Sequence, residues 1–169
     1  GNTAKQYAAS IFGHFGFDSV TLSPYMGEDS IMPFLNSEEK GVFILCRTSN
    51  PSAKTFQSLN FHDEVKLYEQ VAKWADSLND NDNVGLVVGA TAPEELIKVR
   101  KLAPSLPILI PGIGAQGGDL VSCMREGNKS GIGILNISRD ISFSGSHSVK
   151  DIRQSAKMYV KKMNEALNV

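Results

Sequence analysis

The chain has 169 residues, 41% of them hydrophobic and 21% charged, which suits one packed domain rather than two domains or a disordered chain. With 17 Lys and Arg against 18 Asp and Glu, the net charge of −1 leaves no basic excess for an electrostatic nucleic-acid binder. No apolar run approaches the roughly 20 residues that cross a bilayer, residues 1–10 lack a signal-peptide pattern, and Cys46 and Cys123 are too few for a disulfide framework. The expectation is a cytoplasmic protein with reduced thiols and no nucleic-acid or membrane partner.

Apolar periodicity divides the chain into alternating helices and strands. Residues 3–15 place Tyr7, Ile11, Phe12 and Phe15 at helical spacing. Residues 18–23 and 41–46 are short β-branched runs and predict the first two strands. Residues 50–63 read as a long loop, a feature that is usually functional when it follows a strand. Residues 63–78 carry Val65, Leu67, Tyr68, Val71, Ala72, Ala75 and Leu78 on a helical stripe, with Trp74 as packing. A solvated acidic turn at 79–82 leads into a third strand at 83–88. The next helix, 93–102, opens on Pro93, Glu94 and Glu95, residues that suit a helix N-terminus. A fourth strand at 107–110, a helix start near Asp119 and a fifth strand at 131–136 follow. The last helix, 148–167, is capped by Ser148 with Asp151 at its third position.

The five strand runs are nearly continuous in apolar residues, which predicts strands buried on both faces of a parallel sheet. Their starts near 18, 41, 83, 107 and 131 give three steps of about 24 residues, the length of a tight βα unit. A doubly wound sheet and the last five-eighths of a (β/α)8 barrel both fit this order. A complete barrel takes about 200 residues or more, and the chain opens on a helix with no strand before it. The barrel fragment is therefore the expectation. It is of class α/β, a single domain over residues 1–169 that supplies roughly the last five βα units of a (β/α)8 barrel. Its open edges would leave strand N–H and C=O groups unpaired, so the chain alone is expected to aggregate or oligomerise.

In both architectures ligands bind where strands end. The second strand runs into Arg47-Thr-Ser-Asn-Pro-Ser-Ala53, three hydroxyls and an amide where a polar ligand could sit, or simply an Asn-Pro turn. The fourth runs into Pro111-Gly-Ile-Gly-Ala-Gln-Gly-Gly-Asp119. So many glycines let backbone N–H groups approach an anion, and the helix start near Asp119 adds unpaired N–H groups. The fifth runs into Asn136-Ile-Ser-Arg-Asp140, where Arg139 is placed to grip a phosphate or, more plainly, to pair with Asp140. His14, His62 and His147 have no ligand spacing, so no metal site is expected. Cys46 reads as a small core residue. Gly112-x-Gly114-x-x-Gly117 matches a dinucleotide fingerprint, but no acidic residue ends the next strand.

These strings together resemble the orotidine 5′-phosphate decarboxylase family, its bacterial and protozoal branch in particular. The matching pieces are Gly1-Asn-Thr-Ala-Lys-Gln-Tyr7, Ser23-Pro-Tyr-Met-Gly27, Cys46-Arg-Thr-Ser-Asn-Pro51, Val87-Val-Gly-Ala-Thr91, the Pro111–Asp119 string and Asn136-Ile-Ser-Arg139. The resemblance implies a homodimeric (β/α)8 barrel that converts orotidine 5′-phosphate to uridine 5′-phosphate and CO2 in pyrimidine biosynthesis, with no cofactor and no metal. It implies that Gln116 and Arg139 hold the phosphate with backbone N–H groups near Ser138. It further implies that Ser49 bonds the pyrimidine, that Pro111 and Ile113 line the base pocket, and that Thr3 reaches the ribose side of the partner subunit's site. Many family members have Gly where Ser138 stands.

In the family an Asp-x-Lys-x-x-Asp stretch leads through Ile into Gly-Asn-Thr, the residues with which this chain begins. The resemblance therefore implies that the catalytic lysine and its carboxylates lie outside the sequence, and that the chain alone is inactive. The missing strands would be a separate polypeptide or a segment outside this sequence, and fusion to an orotate phosphoribosyltransferase is a further family arrangement. Two alternatives stand beside this reading: a non-catalytic nucleotide- or phosphate-binding α/β module, and another phosphosugar barrel enzyme.

Overall fold

The computed structural model describes residues 1–114 and 116–168; Ala115 of the glycine-rich string and Val169 lie outside the described residues. The chain opens with α1 (Asn2–Ala8), which widens into a π-helical stretch (Ala9–His14) where Phe15 N–H donates to Ser10 O at 2.9 Å. Then come β1 (Ser19–Leu22), α2 (Glu28–Leu35), β2 (Gly41–Arg47) and a one-turn helix, α3 (Lys54–Gln57). A small ribbon of β3 (Asn60–His62) and β4 (Val65–Lys66) leads into α4 (Leu67–Ser77). The rest of the chain is β5 (Val84–Val88), α5 (Pro93–Leu102), β6 (Ile108–Pro111), α6 (Leu120–Gly127), β7 (Gly133–Asn136), one-turn α7 (Arg139–Ser142) and α8 (Val149–Leu167).

The main sheet is parallel throughout, and its strand order is the chain order: β1-β2-β5-β6-β7. That order separates the two architectures. A doubly wound sheet reverses its strand order at a switch point and carries helices on both faces, whereas sequential strands with crossovers of one hand keep them on one face. Here α2 packs on β2, α4 on β2 and β5, and α6 on β6 and β7, while α5 lies between α4 and α6, and α6 against α8. The fold is part of a (β/α)8 barrel wall, its core between sheet and helices: Val42, Ile44, Cys46, Leu86, Val88, Leu96, Val99, Ile108, Ile110 and Cys123 are buried.

Burial on both faces holds only for β5, where the Phe43 ring lies over Gly85. In β2 the buried Val42, Ile44 and Cys46 alternate with half-buried Gly41, Phe43 and Leu45, and in β7 Ile134 and Asn136 are exposed. Helices cover one face only, so a continuous apolar run becomes an alternating burial pattern. Two other expectations shift. The helix read from residue 63 begins at Leu67, because Asp63 turns at φ 49° between the two ribbon strands. The stretch 50–63 read as a loop contains α3 and β3. Helix α2, over a stretch for which no element is expected from the sequence, has Pro33 inside it, a residue that argues against helix. No helix among the described residues is long and apolar enough to cross a membrane.

Candidate functional site

The carboxyl ends of β2, β6 and β7 bring the candidate residues together. Pro111 ends β6 and anchors the following loop, its carbonyl accepting from Ala90 N–H at 2.8 Å. The loop then folds on itself: Gly117 N–H donates to Gly114 O at 2.7 Å, and Gly118 N–H to Gly112 O at 3.1 Å. Gly114 sits at φ 79°, and a Cβ there would run into the carboxylate of Asp140, 2.6 Å from its Cγ. Only glycine satisfies both the backbone and this contact. Asp140 is fixed from behind by α8, its carboxylate accepting from the Tyr159 hydroxyl at 2.7 Å and its carbonyl from Ser155 Oγ at 2.9 Å.

Next to this loop, β7 delivers Asn136, Ser138 and Arg139. Ser138 Oγ donates to Asn136 Oδ1 at 3.0 Å. Arg139 is exposed, with no carboxylate within ion-pair distance among the described residues; Asp140, the expected surface partner, is turned toward Tyr159 instead. Pro111, Gly112, Ile113, Gln116, Asn136, Ser138 and Arg139 line one pocket of about 130 Å³. Six of these carry side chains, and among them Arg139 is the one cation, so the pocket suits a small anion with polar groups around it.

Ser49 enters from the far side. Its Oγ donates to Gln116 Oε1 at 2.8 Å, across 67 residues of sequence. It reaches that position because residue 89, just past β5, is glycine: a Cβ there would lie 2.7 Å from Ser49 N. The structure thus unites Ser49, Pro111, Ile113, Gln116, Ser138 and Arg139. Thr3 is not among them. It lies on α1 in a different, mainly apolar cleft of about 520 Å³ with Tyr7, Val20, Leu22 and Met26, away from the phosphate-type pocket of the same chain.

One expected element is used otherwise. The N–H groups that open α6 are not free for an anion, because Asp119 caps them: Oδ1 accepts from Val121 N–H at 3.0 Å and Ser122 N–H at 3.3 Å, and Oδ2 from Ser122 Oγ at 2.6 Å. These bonds, the Ser122 hydroxyl first, hold the Asp119 carboxyl below the usual carboxylate range. The donors that line the pocket are therefore on the Gln116 and Arg139 side chains and not at the helix start. Both thiols are core groups. Burial pushes Cys46 up to about 12 and Cys123 up to about 11, so neither is a nucleophile at neutral pH. Among the described residues no group of His, Cys, Asp and Glu could hold a metal ion. Lys40 pairs with Asp18 at 3.2 Å, and no lysine lines the Arg139 pocket.

Asn136 and Asp140 were readable only as parts of a sequence string, and Gln57, which holds the Ser49 loop, lay in the stretch read as loop. A functional signal for Asn136 was its place at a strand end. Nothing local marked Gln57.

Known proteins bear on this geometry. The family model described as orotidine 5′-phosphate decarboxylase / HUMPS matches residues 1–154. An orotidine 5′-phosphate decarboxylase of Halorubrum lacusprofundi is 51% identical over 154 residues, covering 88% of this chain and 55% of the relative. One from Dehalococcoides mccartyi is 46% identical over 173 residues, covering 99% of this chain and 63% of the relative. The solved Leishmania donovani OMP decarboxylase superposes with a TM-score of 0.87 at 38% identity, over 100% of this chain and 65% of that one. Leishmania donovani UMP synthase gives a TM-score of 0.87 at 41% identity, over 98% of this chain and 36% of that one. The chain thus spans little more than half to about two thirds of the curated relatives it matches.

Proposed function

Since the chain belongs to the orotidine 5′-phosphate decarboxylase / HUMPS family, we propose that it forms the ligand-gripping part of an orotidine 5′-phosphate decarboxylase. The observation that carries this reading is the convergence of Ser49 and Arg139 on Gln116: a hydroxyl–amide pair at 2.8 Å beside a pocket whose one cation is an unpaired guanidinium. Arg139 and Gln116 take the phosphate, with Ser138 at its edge. Ser49 bonds the pyrimidine, and Pro111 and Ile113 flank the base. Ser138 stands where many relatives have Gly, and its hydroxyl, turned to Asn136, leaves the pocket open.

The chemistry proposed for the whole protein follows from those positions. The C6–carboxylate bond of orotidine 5′-phosphate breaks, CO2 leaves, and the electron pair stays on C6. An ammonium group placed at C6 stabilises that charge and then delivers the proton that completes uridine 5′-phosphate. We assign that ammonium to an Asp-x-Lys-x-x-Asp segment outside these residues, and the reaction needs no cofactor or metal. The phosphate is remote from the breaking bond, so the grip of Arg139 contributes binding energy that can be used at the reacting centre. A homodimer in the cytoplasm is the arrangement proposed, with Thr3 facing the partner subunit's site. The similarity to a UMP synthase supports fusion to an orotate phosphoribosyltransferase as one setting for the chain. The haloarchaeal relatives at 51% identity make a bacterial and protozoal grouping too narrow, and we place the chain in a group that includes all three.

A second reading, a nucleotide-holding module without turnover, draws on the same observation, since the Ser49–Gln116 pair and the Arg139 pocket would grip a nucleotide whether or not a reaction follows. The test is loss of orotidine 5′-phosphate absorbance on the protein containing this chain, together with uridine 5′-phosphate titration. Turnover that is abolished by Arg139→Ala or Gln116→Ala establishes the decarboxylase. Binding without turnover establishes the module, and neither one refutes both.

A further inference from the structure

The loop that carries Ser49 is held from outside the pocket, by a residue that does not touch it. Arg47 ends β2 and is only 5% exposed. Its guanidinium donates from Nη1 to Thr48 O at 2.7 Å, and its Nε lies 3.4 Å from Glu95 Oε1 on α5. Gln57, the last residue of α3, uses both ends of its amide on Thr48. Its Oε1 accepts from Thr48 N–H at 2.9 Å, and its Nε2 donates to Thr48 Oγ1 at 2.9 Å. Thr48 Oγ1 in turn donates to Asn50 Oδ1 at 2.6 Å. The two neighbours of Ser49 in sequence are therefore tied together, and both ties run through Thr48 to Gln57.

The other side of the loop is closed by the sheet. Gly89 N–H donates to Arg47 O at 2.7 Å, and the absent Gly89 side chain leaves room for the N, Cα and Cβ of Ser49. With its neighbours fixed on one side and β5 on the other, Ser49 is held so that its carbonyl lies 3.5 Å from Thr91 Oγ1 and its hydroxyl meets Gln116 Oε1. Released from Gln57, Thr48 would regain its backbone freedom, and Ser49 Oγ would sample positions out of reach of Gln116.

We propose that Gln57 is a positioning residue for the pyrimidine end of the nucleotide: acting through Thr48 and Asn50, it fixes Ser49 Oγ against Gln116. This rests on the reading of Ser49 as the base-contacting hydroxyl. Gln57 does not line the Arg139 pocket, so it acts on the nucleotide only through Thr48 and Ser49, and on the base more than on the phosphate.

The test uses the protein that contains this chain and two probes, uridine 5′-phosphate, which carries a base, and ribose 5-phosphate, which does not. The quantity read is the dissociation constant of ribose 5-phosphate divided by that of uridine 5′-phosphate. Gln57→Met, which keeps the length and loses both hydrogen-bonding ends, is expected to lower that ratio about tenfold. Ribose 5-phosphate affinity is expected to fall less than uridine 5′-phosphate affinity, and the urea midpoint to fall modestly, since Thr48 N–H and Oγ1 lose part-buried partners. Gln57→Glu, which keeps the acceptor for Thr48 N–H, is expected to restore part of the ratio. Ser49→Ala is expected to give the same loss, and the double variant no further loss, because both substitutions remove one contact. An unchanged ratio in Gln57→Met, equal loss of both probes, or losses that multiply in the double variant would each overturn the proposal. If the wild-type chain binds neither probe, the functional reading fails separately. Amide hydrogen exchange then decides the positioning role: faster exchange at Thr48 and Ser49 alone in Gln57→Met sustains it, and unchanged exchange overturns it.

Discussion

Two arginines mark opposite ends of the same sheet, and they are used in opposite ways. Arg100, on α5, lies under the amino ends of β6 and β7 and is 2% exposed. Its Nη1 donates to Ala103 O, Pro104 O and Leu106 O at 3.4, 3.1 and 2.7 Å, and its Nη2 to Gly127 O and Ile132 O at 2.6 and 3.2 Å. Arg139, at the carboxyl end of β7, is exposed and lines a pocket. A guanidinium has five N–H donors in a fixed fork. Where backbone carbonyls take up those of its two terminal nitrogens, the cation is a bolt between α5, α6 and β7. Where they are left open, as they are around Arg139 among the described residues, it is suited to receive an anion. Barrels divide their ends in this way, with stability at the amino ends of the strands and ligands at the carboxyl ends.

The largest expected effect breaks the bolt. Arg100→Met removes the donor from carbonyls that stay buried, each costing about 1–3 kcal/mol if left bare. Ile132 O keeps a second donor, Ile108 N–H at 2.8 Å, so not every carbonyl is stripped. A loss of about 3–5 kcal/mol is expected in urea unfolding, with uridine 5′-phosphate affinity unchanged in whatever fraction folds. Arg139→Ala is its mirror image: affinity for uridine 5′-phosphate falls about 100-fold, since charge-assisted bidentate bonds to phosphate are lost. The urea midpoint stays put, because an exposed side chain without partners contributes within about 0.5 kcal/mol. Should Arg139→Ala destabilise the fold as much as Arg100→Met does, the division between the two ends is wrong.

The two ends also differed in how far the sequence revealed them. The carboxyl end was legible because it concentrates unusual residues at strand ends: four glycines within seven residues from Gly112, then Arg139 just past the next strand. Strands β2 and β5 and helices α5 and α8 were legible too, from apolar runs, from Pro93 at a helix start and from the Ser148 cap. Arg100 could not be read, because its partners lie up to 32 residues away and are backbone carbonyls, which every residue has. Gln57 was hidden for the same reason, its role depending on how the chain after β2 folds back nine residues onto Thr48. The ribbon escaped notice because Asn60, Phe61 and His62 are all exposed and carry no alternation. Capping by Asp119 was a matter of competition: the same string that offers helix N–H groups to an anion also supplies the carboxylate that takes them.

A smaller effect tests how the loop and Arg139 are joined. Gly114→Ala places a Cβ on a residue at φ 79° and against the Asp140 carboxylate. The backbone alone costs about 1–2 kcal/mol. Because Asp140 directly follows Arg139 and is held by Tyr159, the loop moves more easily than α8 does. The expected result is a modest fall in the urea midpoint together with a clear loss of uridine 5′-phosphate affinity. Pairing Gly114→Ala with Asp140→Ala opens the space and is expected to recover part of that loss. No recovery would mean that backbone strain, and not the carboxylate, shapes the loop.

The smallest expected effect sharpens the comparison by asking whether α6 takes part in ligand binding at all. Asp119→Ala removes an N-cap and is expected to cost about 1 kcal/mol, and Asp119→Asn less, since its amide oxygen still accepts. The Asp119 carboxyl lies below its ordinary value in the folded chain, chiefly through the Ser122 hydroxyl, so the folded state binds that proton less readily than the unfolded one. Its stabilising contribution is therefore complete above the ordinary aspartate range and disappears as pH falls through the lowered value. The midpoint difference between wild type and Asp119→Asn is expected to shrink toward zero in acid. Affinity for uridine 5′-phosphate in Asp119→Ala decides the rest. If Arg139 and Gln116 carry the phosphate, freeing the Val121 and Ser122 N–H groups changes affinity by less than about threefold, the scale of an exposed helix-dipole effect. A larger gain would mean that the helix start is an anion site held closed by its own cap, and that the receptor end of the sheet has two cationic poles instead of one.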